Sequence, residues 1–107
     1  MPAYLGEFEQ LVLLAILRLG EDATGAAIRD LIEDASGRTV WIGAVHTTLD
    51  RLAAKDLVAS GRTEAAPGRR PRKVFTLRPA GRDALGQAWS TWSRMTRGLK
   101  PRLESFR

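Results

Sequence analysis

Apolar residues recur at helical spacing along residues 5–19. Leu5, Phe8, Val12, Ala15, Ile16 and Leu19 follow one face, and Leu11 and Leu14 widen it. Glu7 and Glu9 fall in the first turns, where the helix dipole favours acids, and Gly20 stops the helix. Thr24 has the character of an N-cap for a second helix reaching about residue 35, with Ala27, Ile28, Leu31 and Ile32 inward. Gly37 suits the left-handed position that closes it. The β-prone residues 39–41 predict a short strand, with Trp41 in the core beneath the helix that follows.

That third helix, about residues 43–55, organises the rest. Val45, Leu49 and Leu52 lie on one face, and Gly43, His46, Thr47, Asp50 and Arg51 on the other. The second face is small and polar at its N-terminal end, which suits insertion into a DNA major groove. A plain surface helix of a small bundle has the same periodicity. Residues 57–63 and 73–77 then read as two strands, with Phe75 and Leu77 inward, around a turn containing Pro67 and Gly68. Pro79 fits the first position of a last helix over about residues 80–100. On that helix Leu85, Trp92 and Leu99, with Phe106 beyond it, repeat by sevens, and Pro101 should end or kink it.

The predicted fold is mainly α with a small β-hairpin: a winged helix-turn-helix over residues 1–78 and one C-terminal dimerisation helix over residues 79–107. A stripe of this length exceeds what one small domain covers, so a homodimer is expected. Its interface would use Leu5, Phe8 and Val12 of the first helix with Leu85, Trp89, Trp92, Thr96 and Leu99 of the last. Trp89 and Trp92 also admit two other readings: a pocket for a small aromatic effector, and nucleic-acid stacking, which the helix's place far from the wing disfavours.

Charge changes the picture more than length does. The chain has 107 residues and a net charge of +5, but residues 1–35 hold two basic and seven acidic side chains, whereas residues 36–107 hold fifteen and five. One basic side suggests a polyanionic partner. Arg69, Arg70, Arg72 and Lys73 sit on the hairpin, or wing, at about residues 62–73, where phosphates or a minor groove are the natural partners. A solvated charge run is the plain alternative. On the third helix Gly43, His46 and Thr47 are the candidate base or phosphate contacts. Thr47 can touch a thymine methyl, and Arg51 can reach a phosphate or pair with Asp50 or Asp56.

With one histidine, no cysteine and no nucleophile or phosphate-loop motif, the sequence offers no catalytic residues, metal site or cofactor. It has no apolar run long enough for a membrane span and no signal peptide, so a cytoplasmic location is expected.

Three segments resemble the PadR family of winged-helix transcriptional regulators: LGEFEQLVLLAILRLGEDATGAAIRDLIE at residues 5–33, GAVHTTLDRLAAKDLV at 43–58 and GRRPRKVFTLRPAGRDAL at 68–85. The resemblance implies a homodimeric DNA-binding repressor, and two identical subunits on one face of a double-stranded operator lead to the expectation of a near-palindrome. The third helix would lie in the major groove, the wing on the backbone or minor groove, and the last helix would make the dimer with the first. His46 stands where the family usually has tyrosine, and Arg78 where it often has a capping threonine. The C-terminal region is a single helix where longer members carry a bundle. The rival from another class is a winged helix used as a protein-interaction module.

Overall fold

The computed structural model describes residues 4–63, 67–68 and 70–105. The elements are α1 (Glu7–Leu19), a single 3-10 turn at Gly20–Asp22, α2 (Gly25–Ser36), α3 (Ile42–Ala54), β1 (Val58–Arg62), β2 (Lys73–Leu77), α4 (Pro79–Thr96) and α5 (Lys100–Glu104). This is a winged helix-turn-helix.

Local chemistry sets most boundaries. The Thr24 side chain accepts the Ala27 N–H at 3.2 Å and starts α2, and Gly37, at φ +70°, ends it in the left-handed conformation. At the start of α1 the Glu9 carboxylate accepts the Gly6 N–H at 3.0 Å and the Lys55 ammonium at 2.9 Å. Burial raises the Glu9 carboxyl, but the Gly6 N–H, Lys55 and nearby Arg51 outweigh it and hold the pKa below its ordinary value. β1 and β2 pair antiparallel, Val58 opposite Leu77 and Arg62 opposite Lys73. A third backbone contact, Phe75 N–H to the Ala23 carbonyl at 2.9 Å, fastens the wing to the loop before α2.

One core joins all of this: Val12, Leu13 and Ile16 of α1, Ile28 and Ile32 of α2, Val45, Leu49 and Leu52 of α3, with Leu57, Val58 and Phe75 from the wing. Ala84 and Leu85 of α4 belong to the same cluster. Beyond Leu85 nearly every α4 residue is exposed, and its last eleven residues project for about 16 Å. The Cα radius of gyration, 15.7 Å, exceeds the roughly 13 Å usual for this length. No helix among the described residues is long and apolar enough to cross a membrane.

Four expectations need correction. Residues 39–41 form no strand: the Val40 N–H goes to the Glu33 carboxylate at 2.9 Å, so no ladder takes it. Trp41 is not in the core but 75% exposed. The last helix ends at Thr96, and Gly98, at φ +75°, turns the chain before α5. Val12, expected at a dimer interface, is wholly buried within its own chain, and Leu5 and Leu85 are nearly so. The exposed apolar residues of α1 are Leu14 and Leu17, about 200° and 140° round the helix from Val12. Phe106 lies outside the described residues.

Candidate nucleic-acid interface

Val45, Thr48, Leu49 and Leu52 fix the back of α3 in the core. Gly43, Thr47 and Asp50 are exposed and lie within about 40° of the direction opposite Val45. No heavy atom stands within 4 Å of where a Gly43 Cβ would be, so that end of the helix is open to close approach. His46 and Arg51 flank the line on opposite sides.

The His46 ring lies across the first residue of α2: a Cβ on Gly25 would sit 2.9 Å from His46 Cε1. Glycine at 25 therefore lets the imidazole rest on the start of the preceding helix. Arg51 faces the other way, near enough to Glu9 to stabilise its carboxylate. Of the two acids expected to compete for it, Asp56 instead pairs with Arg78, Nε to Oδ1 at 3.1 Å.

On the wing, Arg70, Arg72 and Lys73 are exposed, and Arg69 lies outside the described residues. Arg72 reaches Asp22 at 3.4 Å, a pair with both side chains half or more exposed, so its charge is only weakly committed. Lys73 Nζ stands 5.6 Å from the centre of the Phe75 ring. Arg70 has no carboxylate partner among the described residues. Thr63 and Arg72 tie the two strands beyond the last ladder pair, Thr63 N–H to Arg72 carbonyl at 2.9 Å and Arg72 N–H to Thr63 Oγ1 at 3.2 Å.

Two residues of this surface were missed by sequence reasoning. Arg62 opens the expected wing but is not among the candidate contacts, and it sits directly across the ladder from Lys73. Like charges so placed repel, a cost that a bound anion removes. Trp41 reads as core because its neighbours are apolar, and only the tertiary structure leaves it out.

Of the expected dimer-interface residues, Trp89, Trp92 and Thr96 are exposed, and Phe8 and Leu99 are partly buried. Trp89 stands between two grooves. One of about 630 Å³ is lined by Leu11, Leu14, Leu17 and Leu31, and one of about 490 Å³ by Leu14, Leu85, Trp92 and Thr96.

Residues 13–87 match the model of the transcriptional regulator PadR-like family. Among solved structures, a PadR family transcription regulator from Clostridium difficile is 21% identical with a TM-score of 0.73, the match covering 92% of this chain and 99% of that one. A PadR-like transcriptional regulator from Bacillus cereus is 18% identical with a TM-score of 0.74, covering 90% of each chain. A PadR-like transcription factor from Bacteroides fragilis is 26% identical with a TM-score of 0.65, covering 83% and 82%. No curated protein sequence matches the chain.

Proposed function

The chain belongs to the PadR-like family of transcriptional regulators, and on that premise we propose that it is a homodimeric repressor that binds a near-palindromic site in double-stranded DNA. In this reading α3 enters the major groove with Gly43, His46 and Thr47 at the base edges. Arg62, Arg70, Arg72 and Lys73 neutralise phosphates, and the sequence adds Arg69 to them. The observation that carries the reading is the Arg62–Lys73 pair: two cations in direct cross-strand register, on the wing that flanks an open helix face.

Dimerisation is supported by the apolar side chains that α1 and α4 leave in water: Leu14, Leu17, Trp89, Trp92 and Met95, each between 41% and 72% exposed. Joined there across a two-fold axis, two copies would place their α3 helices about 34–36 Å apart, one turn of duplex. A flat apolar effector fits the same side, since Trp89 borders both grooves.

Selection of bound fragments from a random duplex library tests the proposal. A near-palindrome should emerge, and its affinity should fall by roughly 0.9 log units per log unit of salt for each phosphate neutralised. No enrichment of any duplex at low salt would refute DNA binding. A monomer by sedimentation at micromolar concentration would refute the dimer alone.

A further inference from the structure

Trp41 is the least expected feature of the surface: a tryptophan three-quarters exposed at the residue that opens α3. Its backbone is not loose. Val40 before it is buried, and its N–H is held by Glu33 at 2.9 Å. The Trp41 carbonyl accepts the Ala44 N–H at 3.0 Å and the Val45 N–H at 3.3 Å, and Val45 is wholly buried. The chain is thus pinned on both sides of Trp41, and the indole is left in water. Ile42 beside it is 37% exposed, and Gly43 and Ala44 after it offer no bulk.

We infer that Trp41, with Ile42, is a specificity element: an apolar edge that meets thymine methyl groups where α3 approaches the major groove. The inference rests on the DNA-binding reading above and deepens it. The occupant follows from place and charge. The indole shares the N-terminal end of α3 with Gly43, His46 and Thr47, and this basic half of the chain favours a polyanion. Within a duplex the thymine methyl is the apolar group of the major groove, and an aromatic edge on a fixed backbone suits it because only two side-chain torsions need be ordered on binding. The apolar side chains on α1 and α4 that suit a second copy are a separate set.

The test uses the duplex recovered by the parent chain from the random library, made once with thymine and once with deoxyuridine at every thymine position. Loss of a methyl that packs against Trp41 should weaken parent binding about four-fold, the worth of one buried methylene-sized group. Over two half-sites the loss should be roughly fifteen-fold. Trp41→Ala should bind the thymine duplex more weakly and lose less than the parent on deoxyuridine. Trp41→Phe should keep part of the discrimination. If Trp41→Ala binds like the parent, or if it loses as much as the parent on deoxyuridine, the inference is overturned. Weaker binding by Trp41→Ala with no methyl dependence in the parent also overturns it. Failure of the parent to bind any duplex would instead refute the DNA-binding reading itself. The position is exposed, so circular dichroism of Trp41→Ala should match the parent and exclude misfolding as the cause.

Discussion

Two glycines of α4 should respond oppositely to the same substitution. Gly81 lies in the first turn, and a Cβ built on it falls 2.1 Å from the Leu57 carbonyl oxygen and 3.0 Å from its carbon. An unstrained carbon–oxygen contact is about 3.3 Å or more, so more than an ångström must be found. Leu57 cannot supply it: its oxygen accepts the Arg78 N–H at 2.9 Å, its N–H donates to Leu52 at 2.9 Å, and its side chain is in the core. Overpacking costs about 1–3 kcal/mol, with backbone clashes at the upper end or beyond, and alanine's better helix propensity offsets about 0.8–1. Gly81→Ala should therefore destabilise the fold by about 2 kcal/mol or more, a fall in Tm on the order of 10 °C. Gly86, one and a half turns on, is exposed with no heavy atom within 4 Å of its missing Cβ. Gly86→Ala should gain about 0.8–1 kcal/mol. Urea unfolding followed by circular dichroism at two protein concentrations separates folding from association. A Gly81→Ala midpoint equal to or above that of Gly86→Ala would refute the packing argument.

Four further outcomes are expected. Gly25→Ala should displace the exposed His46 ring with a stability change within about 0.5 kcal/mol, yet alter the duplex that is selected; an identical selected sequence would show that His46 is not placed by Gly25 for reading. Replacing Arg70, Arg72 and Lys73 by alanine should lower the salt slope of duplex binding by about one for each phosphate no longer neutralised, and an unchanged slope would count against the wing. Glu9→Gln should lower stability at pH 7 by about 1 kcal/mol; because the folded Glu9 pKa is depressed, its contribution is present above the ordinary carboxyl range and lost as pH falls through the folded value. The gap between the two proteins in urea melts should close at low pH, and a constant gap would contradict this role for Glu9. Arg78 caps α4 without a side-chain hydrogen bond and makes only an exposed pair with Asp56, so Arg78→Thr should raise the urea midpoint by about 0.5–1 kcal/mol equivalent; a drop would mean the ion pair outweighs a cap.

What the sequence made legible was local. Thr24, Gly37 and Pro79 mark their helix ends by their own chemistry, and Phe75 and Leu77 show their side of the wing by alternation. What it did not reveal needed the tertiary structure. Residues 11–17 read Leu-Val-Leu-Leu-Ala-Ile-Leu, apolar almost all round, so periodicity gives a helix but not which stripe faces in. Leu13 went to the core and Leu14 to water. Residues 39–41 have strand-forming side chains, but a strand requires a partner, and the Glu33 side chain took the Val40 N–H. The heptad spacing suggested a continuous last helix, whereas Gly98 in the left-handed region breaks it before Pro101 can. Of the candidate site, the α3 face could be read from the pattern. Arg62 could not, because its significance lies in the residue across the ladder.

Three features of α3 and the wing do little for the stability of the free fold. A glycine, Gly43, occupies the first turn of α3 where alanine would hold the helix better. An indole stands in water beside it, and Arg62 faces Lys73 across the wing. The glycine and the like-charge pair each cost up to about 1 kcal/mol, and the exposed indole contributes almost nothing to folding. A chain selected for stability alone would lose all three by simple substitution. Violations of local rules that cluster on one surface mark a surface kept for something else. In the proposed reading one kind of partner would suit all three: a polyanion between the cations, a base edge against the bare helix backbone and a methyl against the indole. A protein partner would meet the indole as well, but would not require so many uncommitted cations around an open helix face. On that ground the duplex, rather than another protein, is the partner this surface fits.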